Sequence, residues 1–461
     1  MKEWILMAVV AVGLSSSLVA AKQPNVVIIL SDDQSWTDYG FMGHPEIKTP
    51  HLDQLAKESA VFSRGYVPTA LCRPALTSIA TGLYSHQTRI TGNDPAKTAA
   101  NAKHVEEGGK TAKELLISNI DRHGALPMWL ADEGYLSFQS GKWWEGNFKR
   151  GGFTHGMTRG YPQKGGRHGD DGLDIGRKGM KPVFDFIDLA VKEEKPFFLW
   201  YAPFLPHTPH NPPERLFSKY RREGLPMTVA RYYAMCDWFD ETCGELLDGL
   251  DEKGVSKDTL VIYVTDNGWI QMPDSGSYAI RSKRSPNEGG TRTPIMFRWP
   301  GVIEPGERKE LCTSLDIAPT IVAATAAKAP HDFPGLNLLP TLKGEAPLER
   351  KTIYGESFAH DIADIMKPEA SLMYRWVIDD HLKLLLTYDG RQGKIKYPPT
   401  DFRPQLYDLI ADPHEKENLA AERPDEVARL VKKLEAWYPV KERKTVTTWS
   451  DEPVVLEPVK D

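Results

Sequence analysis

The amino-acid sequence predicts an α/β fold in which helices sandwich a large, mostly parallel sheet. A smaller C-terminal subdomain of antiparallel sheet plus one helix follows it. Two observations lead to this prediction. Short runs that are apolar throughout alternate with helical segments, which is typical of parallel strands buried on both faces. Toward the C-terminus this alternation gives way to closely spaced strand-like segments and one amphipathic helix.

The first part of the chain supplies the parallel sheet. Its apolar runs predict strands at 25–30, 135–138, 196–201 and 260–264, with helices at 50–59 and 232–250 among the segments between them. We expect residues 22–340 to form one large catalytic α/β domain.

The second part is predicted over residues 345–440. Strand-like segments lie at 372–378, 382–388 and 405–409. The helix after them begins at Pro424, and its apolar face carries Val427, Leu430, Val431, Leu434 and Trp437. Residues 441–461 are charged and carry two prolines, so we expect an extended surface tail.

The N-terminus has the pattern of a secretory signal peptide over residues 1–21. Lys2 precedes an apolar run over 5–14, and small residues end it at Ala21. That run is too short to span a bilayer. The pattern predicts an exported protein, periplasmic or secreted, with no membrane attachment after cleavage.

Composition excludes other classes of protein. The 461 residues hold 57 Lys and Arg against 63 Asp and Glu, a net charge of −6. This balance provides no basic surface for nucleic acid. The four cysteines lack the paired spacing of a zinc site. Cys236 and Cys243 lie two helical turns apart, about 10 Å, which is too far for a disulfide and predicts two core residues.

Polar clusters follow each of the four predicted strands, at the edge of the sheet where open parallel sheets bind ligands. They contain Asp32 and Asp33, then Lys142 and Trp144, then His207 and His210, then Asp266 and Asn267. Each cluster alone fits a helix cap, a turn or a rigid loop. Together, three carboxylates would repel one another unless a cation joined them. Asp32, Asp33, Asp266 and the amide oxygen of Asn267 therefore predict an oxygen-rich site for one Ca²⁺.

Cys72 opens a segment that reads as a short helix, with Pro74 near its first position and Gly82 just past its end. The N-terminus of a helix attracts anions and activates a group at its start. The alternative interpretation of Cys72 is one more small buried hydrophobic residue.

These motifs resemble those of the formylglycine-dependent sulfatases of the alkaline phosphatase superfamily. The similarity extends over nearly the whole predicted mature chain. The matching residues are Asp32-Asp33, Cys72-x-Pro74, Thr81-Gly82, Gly141-Lys142-Trp143, His207, Asp266-Asn267-Gly268, Lys283 before Glu288-Gly289-Gly290, the segment 315–320, and Tyr407-Asp408-Leu409 with Asp412-Pro413 and Asn418-Leu419.

The resemblance implies a sulfatase that acts on a sulfated carbohydrate or another sulfate ester. A formylglycine-generating maturation enzyme would oxidise Cys72 to the nucleophile, which would also contact the calcium held by Asp32, Asp33, Asp266 and Asn267. Lys142 and Lys283 would offset charge on the sulfuryl group, and His207 would protonate the leaving alcohol, with His210 a second candidate.

Two positions depart from the family pattern. Leu76 stands where the signature has an arginine, and Trp144 where a histidine is usual. Arg73 is the candidate to supply the guanidinium, and His155 and His168 are candidates for the histidine.

Other functions remain open alongside the sulfatase. One is a phosphomonoester, phosphodiester or phosphonate hydrolase of the same superfamily, and another is an inactive calcium-dependent glycan-binding protein. Trp36, Trp144 and Trp269 each adjoin a motif, and an indole face suits a sugar ring. We expect at least one of them, above all Trp144, to contact the sugar.

Overall fold

The structure, a computed structural model, describes residues 23–389 and 396–456. The predicted signal peptide lies outside the described residues. The strands are β1 (Asn25–Ser31), β2 (Ala60–Tyr66), β3 (Asp94–Pro95), β4 (Leu136–Gly141), β5 (His155–Gly156), β6 (Phe197–Ala202), β7 (Thr259–Thr265), β8 (Arg292–Arg298), β9 (Gly306–Arg308), β10 (Cys312–Thr313), β11 (Thr352–Phe358), β12 (Asp361–Ile362), β13 (Leu372–Asp379), β14 (Leu382–Thr387) and β15 (Gln405–Asp408).

Helices separate most of these strands. They are α1 (Pro50–Lys57), α2 (Cys72–Thr81), α3 (Ser85–Thr88), α4 (Ala99–Gly108), α5 (Ala112–Ile117), α6 (Leu126–Ala131), α7 (Lys181–Lys192), α8 (Glu214–Tyr220), α9 (Met227–Glu252), α10 (Glu288–Thr291), α11 (Ile317–Thr325), α12 (Leu339–Leu342) and α13 (Pro424–Trp437). Short 3₁₀ turns lie at Ile120–Arg122, Asp170–Asp174, Ser256–Asp258, Ser314–Asp316 and Pro368–Ser371.

The larger sheet runs in the order β10-β2-β8-β7-β1-β6-β4-β5, and β9 pairs with β2. The four strands predicted from the sequence are neighbours in its centre, and they are all parallel. β8 runs antiparallel to both β7 and β2. The predicted large, mostly parallel sheet is confirmed, and the pairing of β2 with β8 adds to it.

Strand β1 shows why the apolar runs form buried strands. All seven of its residues are buried. Val26 and Ile28 belong to a core on one face of the sheet, and Val27 and Ile29 to a second core on the other face. Residues of α2, α6 and α11 fill the first core, and residues of α1, α7 and α9 fill the second. A strand covered on both faces has no polar face to display.

The smaller sheet is antiparallel throughout, in the order β11-β13-β14-β15. Helix α13 covers it by packing Val427, Leu430 and Leu434 against residues that include Leu384 and Leu406. The predicted C-terminal antiparallel sheet and its helix are confirmed, and β11 is a strand that the sequence prediction missed. The domain limits drawn from the sequence stay a prediction.

A buried cluster of charges joins the two sheets, and we call Glu288, Lys383 and Glu415 the interface cluster. Lys383 Nζ lies 2.9 Å from Glu288 Oε1 and 3.0 Å from Glu415 Oε1. Tyr66 donates to Glu288 Oε2 at 3.0 Å, and Asn287 donates to Glu415 Oε2 at 2.8 Å. The C-terminal subdomain is thereby fixed against the segment that follows Lys283.

The remaining structural predictions concern cysteines and the C-terminal tail. Cys236 and Cys243 are free and buried on α9, as expected. Residues 441–456 contain no helix or strand beyond a single bridge between Tyr388 and Thr445. Among the described residues, no helix is long and apolar enough to cross a bilayer.

Candidate active site

The carboxyl ends of the central strands bring the predicted polar clusters to one place. Asp32 follows β1, Lys142 follows β4, His207 lies beyond β6, and Asp266 follows β7. Lys142 Nζ donates to Asp32 Oδ1 at 2.7 Å, and the backbone N–H of Asp33 donates to Asp266 Oδ1 at 3.1 Å. This convergence follows from parallel strands ending at one edge.

Two glycines allow the loops of the site to approach so closely. Gly141 has φ of +79°, and a Cβ there would lie 1.8 Å from the carbonyl oxygen of Ala202. A Cβ on Gly268 would lie 2.1 Å from the carbonyl oxygen of Gly289. Only glycine leaves room for such contacts, so Lys142 and the Asp266-Asn267 pair reach the site because glycines adjoin them.

Three carboxylates and two ammonium groups make the centre of the site, and we call Asp32, Asp33, Asp266, Lys142 and Lys283 the site cluster. All five side chains are buried. Lys142 pairs with Asp32, and Lys283 pairs with Asp33. Three negative groups against two positive ones leave an excess of negative charge in a buried place. Burial raises the pKa of Asp32 well above its usual value and also raises the pKa of Asp266.

The oxygens of the site are suited to a hard cation. Oδ2 of Asp266 and Oδ1 of Asn267 are buried, and neither has a hydrogen-bond partner among the described residues. Asn267 instead donates through Nδ2 to Asp33 Oδ1 at 2.7 Å. Buried polar atoms without partners are uncommon in folded proteins, and a divalent cation would satisfy these oxygens and balance the charge. The donor set therefore fits calcium.

His207 and Cys72 also offer ligand atoms to this centre. One ligand atom from each of Asp32, Asp33, Cys72 and His207 lies within 4.8 Å of the others. Asp266 borders the same centre, because its Oδ1 accepts from the backbone N–H of Asp33. We favour the oxygen donors over His207 because calcium prefers oxygen ligands.

Cys72 begins α2, as the sequence predicted. Every residue of this helix is buried, and Gly82 ends it with φ of +69°. The thiol Sγ lies 3.2 Å from Lys283 Nζ and 3.8 Å from Asp32 Oδ1. Burial raises the pKa of the thiol far above its usual value, although Lys142 and Lys283 oppose this. An unmodified Cys72 thiol therefore stays protonated, which makes it a poor nucleophile.

Arg73 is buried, but its guanidinium does not reach Cys72. Nε and Nη2 bind the two oxygens of Glu145 at 2.7 and 2.6 Å, and Nη1 donates to the carbonyl oxygen of Asn93 at 3.2 Å. These contacts use three of the five N–H donors of the guanidinium, and the two to Glu145 form a bidentate ion pair. They hold the start of α2 in place, and the expectation that Arg73 supplies the guanidinium missing at position 76 stays a prediction. Leu76 packs in the core.

His207 contacts the site through one ring nitrogen. Nδ1 lies 2.6 Å from the carbonyl oxygen of Thr208, so Nδ1 carries a proton and donates it there. Nε2 lies 3.3 Å from Asp33 Oδ2. Burial lowers the pKa of His207 well below its usual value, and the nearby Lys142 and Lys283 add to this effect.

A cavity of about 330 Å³ opens over these groups, and we call it the Cys72 cavity. Cys72, Lys142, His207 and Lys283 line it together with Trp144 and Trp269. Five further residues that line the cavity were not predicted from the sequence: Asn93, Arg167, Tyr278, Arg284 and His360. His360 comes from the C-terminal subdomain, and its Nε2 lies 3.3 Å from Asn93 Nδ2.

Trp144 and His168 occupy the wall beside Lys142. Their ring centroids lie 5.2 Å apart. The Arg167 guanidinium lies 4.8 Å from the Trp144 ring centroid. Trp144 Nε1 and His168 Nδ1 are buried without a partner among the described residues. Burial lowers the pKa of His168 to about 3, helped by the nearby Lys142. Of the two histidines considered for this region, His168 therefore reaches the cavity as a neutral ring.

Three residues that the sequence suggested for the site, His155, His210 and Trp36, do not line the Cys72 cavity. His155 is on β5, with its ring against Phe186. His210 lines a separate cavity beside Thr208, and its ring lies 5.8 Å from that of Trp269. The Arg292 guanidinium lies 3.9 Å from the ring centroid of Trp36.

Comparison with known proteins agrees with this geometry. The sulfatase family matches residues 24–327. A second family, described as the C-terminal part of N-sulphoglucosamine sulphohydrolase, matches residues 276–439. Together the two matches span both sheets.

The curated relatives of the chain include several proteins that are named as sulfatases. Human arylsulfatase A is 28% identical over 74% of this chain and 72% of its own length. N-acetylgalactosamine-6-sulfatase of Mus musculus is 27% identical over 76% of this chain and 72% of its own. The crystal structure of Ps i-CgsB in complex with k-i-k-neocarrahexaose has the same fold, with a TM-score of 0.67 at 23% identity over 90% of this chain and 93% of that one. The match over residues 24–327 covers well over half of the chain, which therefore belongs to the sulfatase family and is a sulfuric ester hydrolase.

Proposed function

We propose that this sulfatase removes sulfate from a sulfated carbohydrate, with Cys72 matured to formylglycine as its nucleophile. The observation that carries the proposal is the position of Cys72. Its side chain lies at the start of a buried helix, between Lys283 and Asp32, at the floor of the Cys72 cavity.

The chemistry of position 72 supports maturation. A thiol whose pKa is raised by burial attacks poorly, whereas the hydrate of an aldehyde offers two hydroxyls, one to attack and one to expel the sulfate afterwards. The maturation enzyme is therefore part of the proposal as a required partner.

Calcium is proposed at the edge of the site cluster, held by Asp32, Asp33, Asp266 and Asn267 with the modified residue 72 beside them. When bound, calcium polarises sulfate oxygens and lowers the pKa of the nucleophile. The unpartnered oxygens of Asp266 and Asn267 support this assignment.

The protein's own groups supply charge and proton transfer. Lys142 and Lys283 line the Cys72 cavity together with Cys72, and Lys283 Nζ lies 3.2 Å from Sγ, so both would offset the charge that develops on a bound sulfuryl group in a largely dry site. His207 holds its Nδ1 proton on Thr208, so Nε2 of the neutral ring would first accept the proton that the attacking hydroxyl of residue 72 releases and would then pass that proton to the leaving alcohol.

Recognition of the sugar is assigned to the wall of the cavity. Trp144 offers the sugar that carries the sulfate a ring face and an Nε1–H that has no partner in the described part of the chain. His168 offers a neutral ring nitrogen in the same wall, and His210 lies farther out. The name of the relative N-acetylgalactosamine-6-sulfatase favours a sulfated sugar as the substrate class.

Export is proposed as well, from the signal-peptide pattern of residues 1–21. Its test is the N-terminal sequence of the mature protein. A chain that begins at Lys22 would support export, and an intact Met1 in the active protein would contradict it.

The central experiment is mass analysis of the Cys72 peptide after co-expression with a maturation enzyme, together with assays of released sulfate. We expect an aldehyde at position 72 and sulfate release from at least one sulfated glycan. An unmodified thiol in a fully active protein would reject the nucleophile. Faster turnover of phosphonate or phosphate esters than of any sulfate ester would reject the sulfate specificity.

A further inference from the structure

A second cavity adjoins the Cys72 cavity on the side of the C-terminal subdomain. Its volume is about 380 Å³, and Tyr278, Lys283 and Arg284 line both cavities. Tyr374 and Gln405 of the smaller sheet form part of its far wall. Ligand pockets commonly measure about 300–1,000 Å³, so each cavity is at the small end, and the two in series suit a ligand of more than one sugar.

The second cavity is rich in unpaired positive charge. Arg281, Arg284 and Lys396 line it, and none of them forms an ion pair with any residue that the structure describes. Asp401 is the one carboxylate among its lining residues in the described chain, and Arg403 already pairs with it at 2.7 Å. The chain as a whole has more acidic than basic residues. A shortage of carboxylates therefore does not explain why these three cations have no ion-pair partner among the described residues.

Each of the three cations contacts only neutral acceptors. Arg281 donates to the Tyr407 hydroxyl at 2.7 Å, and Arg284 donates to the Tyr278 hydroxyl at 3.3 Å. Lys396 donates to the carbonyl oxygen of Tyr278 at 3.0 Å. Positive groups that converge on a cavity without counter-charges attract an anionic ligand.

Arg284 is held where the two cavities meet. Its backbone has φ of +67°, a conformation that costs a non-glycine residue about 1–2 kcal/mol. Its N–H donates to the carbonyl oxygen of Ala70 at 2.7 Å, two residues before Cys72. Strain of this kind persists where a site requires the side chain in one place.

Tyrosine rings complete the second cavity. Tyr278 stands between the two cavities, and the ring of Tyr397 lies 6.1 Å from it. Aromatic faces beside cations suit a sugar that presents both C–H groups and an acidic substituent.

We propose that the second cavity binds a neighbouring sugar that carries its own carboxylate, and that Arg284 recognises that group. The proposal rests on the proposed function, because it assigns the sugar next to the one whose sulfate is removed. The substrate is then an acidic oligosaccharide rather than a single sulfated sugar.

The test compares disaccharides that differ in one charge. The probes are disaccharides of a sulfated N-acetylhexosamine and a hexuronic acid, in several sulfate positions and both linkage orders, each with its uronate free or as the methyl ester. Binding is measured by calorimetry on a Cys72→Ala protein, which keeps the substrate intact, and sulfate release is measured with the matured enzyme. For the best probe of the set we expect the free acid to bind about tenfold more tightly than the ester, as one charge-assisted contact implies.

Substitutions of Arg284 test whether this residue causes the preference for the free acid over the methyl ester. Arg284→Gln should reduce the preference for the free acid to about twofold or less, and Arg284→Lys should retain part of it, since a charged contact differs from a neutral one by roughly tenfold. Arg122→Gln is the matched control, since Arg122 is exposed and lines neither cavity. If Arg284→Gln perturbs folding, Lys396→Gln tests the same cavity from its other side.

The outcomes separate the inference from the proposed function. Equal binding of acid and ester by the parent protein across all probes would overturn the inference, as would an unchanged preference in Arg284→Gln. Absence of sulfate release from every disaccharide probe and from every sulfated glycan of the central experiment would overturn the proposed function, while the calorimetric comparison would still decide the inference.

Discussion

The site cluster and the interface cluster are both buried groups of acids and lysines, yet the pairing of their carboxylates differs. In the interface cluster each carboxylate oxygen of Glu288 and Glu415 has the Lys383 ammonium or a hydrogen-bond donor within 3.0 Å, although Glu415 Oε1 has only the ion pair. In the site cluster Lys142 pairs with Asp32 and Lys283 with Asp33, whereas Asp266 Oδ2 has neither an ion-pair partner nor a hydrogen-bond donor among the described residues. The charges of the interface cluster are thus paired within the protein, and the site cluster keeps one carboxylate that a ligand could pair.

This difference separates stability from function. A completed buried network holds elements together and is costly to break. An incomplete one holds an excess of buried negative charge, which a bound cation would offset. We therefore expect substitutions in the interface cluster to act on the free energy of unfolding, and substitutions in the site to act on turnover and metal binding.

The largest effect is expected at Cys72. Cys72→Ala should abolish turnover, because alanine cannot form the nucleophile, and should leave the fold intact because the two side chains are both small. The measurement is sulfate release from an aryl sulfate and from sulfated glycans. Cys243→Ala is the control, buried equally well but on α9, and it should change only stability, by about 1 kcal/mol. Wild-type turnover in Cys72→Ala would remove Cys72 from the mechanism.

The next effect is expected at Asp33, which contacts both Lys283 and Asn267. Asp33→Asn is preferable to Asp33→Ala because the backbone there has φ of +67°, which asparagine tolerates. It should lower turnover by about a hundredfold or more, and it should abolish the rise in Tm that we expect calcium to produce in the parent protein.

The stability of the Asp33→Asn protein tests whether the carboxylates of the site cluster repel one another. Without calcium, Asp33→Asn should be no less stable than the parent protein, since it removes one of three carboxylates that repel one another. Calcium still bound at full occupancy, with turnover unchanged, would refute the proposed metal site.

Much of the centre of the site could be predicted from the sequence, because strand ends determine where loops meet. Asp32, Lys142, His207 and Asp266 each follow an apolar run closely, so the parallel sheet alone brings them together. The start of α2 at Cys72 was equally readable, from Pro74 and Gly82.

The outer wall of the site could not be predicted in the same way. Arg167 and His168 lie in a long segment without periodicity, and their approach to Trp144 depends on tertiary packing. His360 reaches the Cys72 cavity only because the second sheet docks beside it. The ion pair between Arg73 and Glu145 could not be predicted either, because it joins the start of α2 to a loop residue 72 positions later in the chain.

A third prediction tests the interface cluster. Lys383→Met should lower the free energy of unfolding by about 3–5 kcal/mol, because it leaves two buried carboxylates without a cation. Denaturant unfolding measures this, and the folded protein should keep most of its turnover. A second substitution, Glu415→Gln in the Lys383→Met background, removes one of the stranded charges and should recover part of the loss. A stable Lys383→Met protein would show that the interface cluster does not hold the subdomains together.

The smallest effect is expected at Trp144, a residue that could contribute either to the stability of the fold or to the binding of substrate. Its side chain is 3% exposed, so it could belong to the core, yet it lines the Cys72 cavity and keeps its Nε1–H unpartnered among the described residues. If it contacts the sugar, Trp144→Ala should lower kcat/KM for a glycan by about 1–3 kcal/mol equivalent and leave calcium binding unchanged.

Trp144→Phe keeps the ring face but removes the N–H, so it separates stacking from hydrogen bonding. An aryl sulfate is the matched substrate, because it presents no sugar to the wall. Equal losses on both substrates would place Trp144 among the groups that act on the sulfate itself, and unfolding of both variants would place it in the core.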